Sequence, residues 1–267
     1  MPEHIRGVVL DMDGVLFRGN QALPGAPQAV RRLRQQGRTV SFVTNNSVRH
    51  RRDHCAVLRR LGFEAAEDEV VGSAYATALY LQTRRPGGIG RVFIIGEAGL
   101  AEELRGAGAE VVDTADDVDF VVVGMDRQFT YEKLATAQQA VLSGAQFIAT
   151  NADPVFPVET GLRPGGGTMV AALQTCVRRP PDAIVGKPQP LALELILGQM
   201  GLPASQAAMV GDQLGTDIVA GNRAGMTTVL VLTGVSTRED AEVAEGEGRP
   251  HVVAETVVEA VEWVLGK

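Results

Sequence analysis

The chain has 267 residues, 45% hydrophobic and 21% charged, enough apolar material for a real core and against global disorder. A formal net charge of -7 and an aromatic content of 4% argue against a nucleic-acid polyanion as partner. Two cysteines, Cys55 and Cys176, are too few for a disulfide framework or a cysteine-built zinc site, and they suit a reducing, cytoplasmic compartment. The first residues have neither a basic lead-in nor a long apolar run, so no signal peptide is expected, and no stretch nears the ~20 apolar residues of a membrane span.

The pattern predicts a strand at Ile5–Leu10, a helix at Gln28–Gln36 closed by Gly37, a strand at Thr39–Val43 and a helix at Val48–Leu61 closed by Gly62. A short strand at Val70-Val71 and a helix at Ala74–Gln82 follow, before the breaker cluster Arg84-Arg85-Pro86-Gly87-Gly88. A second block places strands at Val92–Ile95, Glu110–Val112, Phe120–Val123 and Phe147–Ala149, and helices at Leu100–Arg105, Tyr131–Leu142 and Met169–Val177. A Gly/Pro-rich loop is expected over Asn151–Gly167. After the second breaker cluster, Arg178-Arg179-Pro180-Pro181, a short strand at Ala183–Val185 is possible. Helices follow at Leu191–Met200, Thr216–Arg223 and Thr256–Leu265, with strands at Ala207–Val210 and Thr228–Leu232. This alternation predicts an α/β fold, a Rossmann-like doubly wound parallel sheet with an inserted α/β domain. The expected division is a discontinuous core, residues 1-78 and 183-267, and an insertion, residues 79-182.

Ligands of doubly wound sheets bind beyond the carboxyl ends of the strands. The polar residues there are Asp11 and Asp13, Thr44-Asn45-Asn46, Gly186-Lys187-Pro188, and Gly211-Asp212 with Asp217. Carboxylates of Asp11, Asp13 and Asp212 are hard oxygen ligands that suit Mg²⁺. Lys187, Thr44 and backbone N–H groups could hold a phosphate dianion. Asp11 and Asp13, two apart in an extended chain, point to one side, and close carboxylates pull their pKa values apart. One could attack as the anion while the other gives a proton to the leaving group.

Taken in order, Asp11-Met12-Asp13-Gly14-Val15, Thr44-Asn45-Asn46-Ser47, Gly186-Lys187-Pro188 and Gly211-Asp212-Gln213-Leu214-Gly215-Thr216-Asp217 resemble the four motifs of the haloacid dehalogenase-like phosphatase superfamily. Thr44–Ser47, Gly96-Glu97-Ala98-Gly99-Leu100, Gly124-Met125-Asp126 with Phe129-Thr130-Tyr131, and Ala149-Thr150-Asn151-Ala152-Asp153 are similar to its NagD / para-nitrophenyl phosphatase branch. The resemblance implies a Rossmannoid core with an α/β cap inserted between the second and third motifs. It implies Asp11 as nucleophile and metal ligand, and Asp13 as general acid/base whose carbonyl also binds Mg²⁺. Thr44 and the Asn45 backbone would hold the phosphoryl group, Lys187 would balance charge, and Asp212 would complete the metal site, with Asp217 in or near the layer of residues behind the ligands. The implied activity is Mg²⁺-dependent hydrolysis of small phosphate monoesters through an aspartyl-phosphate, on a small phosphorylated metabolite chosen by the cap. The alternatives are a phosphoester-binding regulatory protein with little turnover and a dehalogenase. Asp13 speaks against the dehalogenase, because true dehalogenases of the superfamily lack that second acid. The cap could also form the surface of a homo-oligomer.

Outside these stations, Thr150–Asp153 and Pro164-Gly165-Gly166-Gly167 either face substrate or form structural turns. Asp126 is expected to be structural. The helix with Arg49, Arg51, Arg52, Arg59 and Arg60 is expected to be a solvated face that also carries His50 and His54, and both cysteines are expected to be buried.

Overall fold

An unbroken apolar run suits a strand covered on both faces, and Gly7–Asp11 forms such a strand, β1, buried along its whole length. The computed structural model describes residues 4–158 and 161–267. The leader reading at residues 1–3 and the middle of the loop expected over Asn151–Gly167, residues 159 and 160, lie outside the described residues.

After β1 come a short hairpin of β2 (Phe17–Arg18) and β3 (Gln21–Ala22), α1 (Ala26–Gln35), β4 (Thr39–Thr44), α2 (Arg51–Arg60), β5 (Val70–Gly72) and α3 (Ser73–Arg84). The middle holds β6 (Gly90–Ile95), α4 (Ala98–Gly106), β7 (Ala109–Val112), β8 (Phe120–Val123), α5 (Tyr131–Leu142), β9 (Gln146–Ala149), the hairpin β10 (Val155–Val158) and β11 (Gly161–Pro164), and α6 (Gly166–Val177). The last part holds β12 (Ala183–Ile184), α7 (Leu191–Met200), β13 (Ala207–Gly211), α8 (Val219–Arg223), β14 (Thr227–Val231), α9 (Arg238–Glu242), β15 (Val252–Ala254) and α10 (Val257–Val264).

The chain forms two compact units. One comprises the chain up to Thr44, Arg52–Val71 and Lys187–Lys267, and the other Asn45–Arg51 and Gly72–Gly186. These seams differ from the sequence-based boundaries at 78/79 and 182/183. The reason at the first seam is packing: α3 lies against α4, within the second unit.

The first unit is built on a six-stranded sheet of order β15-β14-β13-β1-β4-β5. β1 is parallel to β4 on one side and to β13 on the other. The strand order therefore reverses at β1, which is where doubly wound sheets open a crevice. Register sets what meets there. Leu10 pairs with Val210 and Asp11 with Val43, so Asp11 is level with Gly211, and Thr44 and Asp212 lie one step beyond. Val8, Leu10, Phe42, Val210 and Val229 join Leu33 of α1 and Val261 of α10 in the core under this sheet. In α1 the buried Ala29, Val30 and Leu33 fall at helical spacing.

The second unit has a five-stranded sheet of order β12-β9-β8-β6-β7, with parallel pairing throughout. Its core joins Phe93, Val121, Val123 and Phe147 to Ala137 and Val141 of α5 and Leu173 of α6. The loop expected over Asn151–Gly167 contains the antiparallel hairpin β10–β11. Its two strands have four residues each and are interrupted by prolines, so no period-2 pattern is legible. The edge strand β15 escaped because it is only three residues long.

Glu97, at the start of α4, accepts hydrogen bonds from the backbone N, Nε and Nη2 of Arg127, at 3.1, 2.7 and 2.6 Å. Those side-chain bonds hold its carboxyl below the ordinary value against the opposing effect of burial. A depressed carboxylate contributes stability that is present above its unfolded pKa and lost as pH falls through its folded value. Because Arg127 is 65% exposed, Arg127→Met is expected to cost less than about 1 kcal/mol near neutrality. Urea unfolding should show that gap closing in acid. A gap that stays constant as pH falls contradicts this assignment.

Candidate active site

Four charged side chains of the first unit converge at the end of β1. Lys187 Nζ donates to Asp11 Oδ1 at 2.6 Å and to Asp217 Oδ1 at 2.5 Å. Asp217 Oδ2 accepts from the backbone N–H groups of Asp212 and Gln213, at 3.0 and 3.1 Å. Asp217 lies in a π-helical turn, Leu214–Ile218, where a plain α-helix was expected from Thr216. Such wide turns are frequent at functional sites. Asp212 Oδ2 accepts from Val235 N at 2.8 Å. Oxygens of Asp11, Asp212 and Asp217 all lie within 4.8 Å of one another, and all three residues are buried. Thr44, also buried, ends β4 one residue past the partner of Asp11.

Three buried carboxylates face one ammonium, so a fully ionised group carries two uncompensated negative charges. The titration behaviour follows. Burial pushes the Asp11 carboxyl well above its ordinary value; Asp217 and Asp212 add to this, while Lys187 opposes it. Burial, then repulsion from Asp217, pushes Asp212 up to about 7, against the pull of the Val235 N–H and Lys187. Burial would lower the pKa of Lys187, but Asp11 and Asp217 outweigh it and hold the ammonium above its usual range. The oxygen donors and the charge deficit fit a hard divalent cation.

Asp13, two residues after Asp11, is exposed and bridged through its backbone to Phe17, and its carboxylate is outside the three-carboxylate cluster. Gly14 follows it with φ of 79°, a left-handed conformation that side-chain-bearing residues rarely adopt. A Cβ there would also meet Asp212 Oδ2 at 2.5 Å.

Asn45 belongs to the second unit. Its Nδ2 donates to Asp153 Oδ2 at 2.8 Å, and its carbonyl accepts from Ser73 Oγ at 2.7 Å and Asn151 Nδ2 at 2.8 Å. The Thr150–Asp153 and Gly-rich segments, left open between substrate contact and turn, therefore contribute at least a structural network. Gly167 N donates to the Asp153 carbonyl at 2.9 Å, and a Cβ on Gly165 would lie 2.3 Å from that oxygen.

Asp126 is buried, with Lys133 Nζ at 2.6 Å and Gln128 N at 2.8 Å, as its expected structural role requires. The basic helix departs from expectation. His54 is buried rather than solvated, because it lies on the inward face of α2 beside Cys55, which is buried as expected. Arg51 stacks 3.8 Å over the Tyr75 ring, and Arg51 N donates to buried Glu103 at 2.7 Å. Cys176 is only half-buried. Reasoning from side chains missed Gly234, Val235 and Ser236, which serve Asp212 largely through backbone atoms. The sole signal was a glycine just past a strand, in Thr233-Gly234.

Comparison with known proteins gives the family. Residues 8–110 match the model for haloacid dehalogenase-like hydrolases, and residues 184–260 match a second model of HAD-like hydrolases. An acid sugar phosphatase of Staphylococcus aureus is 40% identical over 237 residues, spanning 89% of this chain and 90% of that protein. A p-nitrophenyl phosphatase from Archaeoglobus fulgidus superposes with a TM-score of 0.91 at 40% identity, over 97% of this chain and 99% of the other. A glycerol phosphate phosphatase from Mycobacterium tuberculosis, solved with magnesium, gives 0.87 at 36% identity, over 97% and 77%. With these motifs, this fold and these relatives, the chain belongs to the haloacid dehalogenase-like hydrolases, as a phosphatase of the NagD and p-nitrophenyl phosphatase branch.

Proposed function

We propose that the protein hydrolyses small phosphate monoesters with Mg²⁺, through a phosphoryl group carried on Asp11. The observation that carries this reading is the buried Asp11–Lys187–Asp217–Asp212 group, with its two unbalanced negative charges, at the reversal point of the sheet. Asp11 and Asp212, with the backbone carbonyl of Asp13, would hold Mg²⁺, which when bound neutralises charge on the carboxylates and on the phosphoryl oxygens. Support comes from the donor chemistry and from the magnesium bound to the Mycobacterium relative.

Thr44 Oγ1 and the Asn45 backbone N–H hold the phosphoryl oxygens, and Lys187 offsets the charge that builds on them and on the nucleophile. An Asp11 oxygen attacks phosphorus as the bond to the ester oxygen breaks, and Asp13 delivers its proton to that oxygen, releasing an alcohol. Asp13, now ionised, takes a proton from a water that attacks the same phosphorus. The acyl-phosphate bond breaks, inorganic phosphate leaves, and Asp11 is restored as a carboxylate. Exposure of Asp13 suits a group that must exchange protons with solvent and leaving group.

The second unit is proposed as the cap that selects the leaving group. Among the described residues no helix is long and apolar enough to cross a membrane, and both cysteines are free. The free thiols suit a reducing, cytoplasmic compartment.

Phosphate release from a panel of sugar phosphates, glycerol phosphate and p-nitrophenyl phosphate tests the reaction class. Release is expected with Mg²⁺ and is expected to fall to background with EDTA. Undiminished release in EDTA contradicts the metal assignment, and no release from any member contradicts the reaction class.

A further inference from the structure

The segment Thr233–Ser236, just after β14, ties together the loops that follow β1 and β13. Thr233 Oγ1 donates to the carbonyl of Gly14 at 2.6 Å, and the Thr233 carbonyl accepts from the Arg18 guanidinium on β2. Gly234 then passes so close to Asp212 that a Cβ would lie 1.7 Å from Oδ2. Val235 N donates to that same Oδ2 at 2.8 Å, and Ser236 N to the Asp212 carbonyl at 3.0 Å. Ser236 Oγ, buried, accepts from Leu214 N at 3.0 Å, at the start of the turn that carries Asp217. Gly14 closes the other side, its absent Cβ leaving 2.5 Å to Asp212 Oδ2 and 3.2 Å to the Gly234 Cα.

We propose that Thr233–Ser236 is a strap whose two hydroxyls, on Thr233 and Ser236, are positioning residues for the cation held by Asp212. The proposal rests on the assignment of Asp212 as a Mg²⁺ ligand. Its logic is geometric. One Asp212 oxygen is taken up by the Val235 N–H, which fixes the rotation of the carboxylate and leaves the other oxygen to coordinate. The Val235 N–H is itself placed by the two hydroxyl anchors on either side of it. Thr233 also holds the Gly14 carbonyl, one peptide beyond the Asp13 carbonyl, and so ties the loop that carries Asp13 to the strap that holds Asp212. Groups that orient ligands in this way are typically worth about 10- to 100-fold in metal affinity.

The test is calorimetric titration of Mg²⁺ into substrate-free protein, with thermal melts to report folding. Thr233→Val keeps the shape and loses the donor, and is expected to bind Mg²⁺ about 10-fold more weakly or worse. Thr233→Ser is expected to bind as wild type does. In turnover, Thr233→Val should need more Mg²⁺ for half-maximal rate while KM for the ester at saturating Mg²⁺ stays near wild type. A folded Thr233→Val with wild-type Mg²⁺ affinity overturns the proposal. Should that variant not fold, Ser236→Ala carries the same expectation, and wild-type affinity in it overturns the proposal equally. Asp212→Asn separates the two levels. Lost binding there, with none lost in Thr233→Val, overturns the strap alone, whereas wild-type binding in Asp212→Asn overturns the underlying metal assignment.

Discussion

Asp11→Asn is expected to fold, to melt no lower than wild type in the absence of metal, and to release phosphate at least about 10⁴-fold more slowly, as removal of a nucleophile from a concerted group does elsewhere. The stability expectation comes from the charges. Asp11 is one of three buried carboxylates facing a single ammonium, and burial together with Asp217 and Asp212 keeps its carboxyl well above the ordinary range. An amide there removes one of the mutually repelling charges. It keeps the shape of the side chain and a carbonyl acceptor for Lys187 Nζ, 2.6 Å away in the wild type. Turnover should fall without a matching fall in melting temperature. Phosphate release within tenfold of wild type would remove Asp11 as nucleophile.

Lys187→Met has the second large effect, and it acts on stability and rate together. The ammonium is buried and bonded to both Asp11 and Asp217. Removing one partner of a buried ion pair typically costs about 3–5 kcal/mol, because the charge left behind has lost its compensation. A rate loss of about 10²- to 10³-fold is expected from the missing charge stabilisation. The pH dependence has a definite sign. The raised Lys187 pKa means that the lysine's own titration removes its contribution only as pH rises beyond the ordinary lysine value, whereas in acid the contribution fades because its carboxylate partners take up protons. Asp212, raised to about 7, binds protons in the folded state that the unfolded chain has released, so metal-free wild type loses stability between the ordinary carboxylate range and about 7. In Lys187→Met that fall should be steeper, and the gap to wild type should narrow in acid, where the carboxylates are neutral. Urea unfolding without metal across this range checks it. A gap unchanged from acid to neutral pH contradicts the assignment of Lys187 as the counter-charge.

Much of this site was legible in the sequence because its side chains sit at strand ends. The apolar residues of β1, β4 and β13 marked the strands, and Asp11, Thr44 and Asp212 follow from where those strands stop. That Asp217 joins the carboxylate group rather than merely lying beside it depends on a π-turn, which no periodicity announces. Asn45 was legible as a neighbour of Thr44, but its anchoring by Asp153 links residues 108 apart. The strap around Asp212 was invisible because backbone N–H groups do much of its work. The hairpin β10–β11 was hidden by its prolines and by the brevity of its strands.

The proposed mechanism turns on a phosphoryl group carried by Asp11. The most direct measurement is acid-quenched turnover of a phosphate monoester with Mg²⁺, followed by borohydride reduction and peptide mass spectrometry. Asp13→Asn, expected to slow breakdown of the intermediate, is run alongside wild type. Conversion of Asp11 to homoserine is expected, dependent on both substrate and Mg²⁺. Phosphoryl transfer to any other residue, or alcohol release by Asp13→Asn with no label on Asp11, would contradict it.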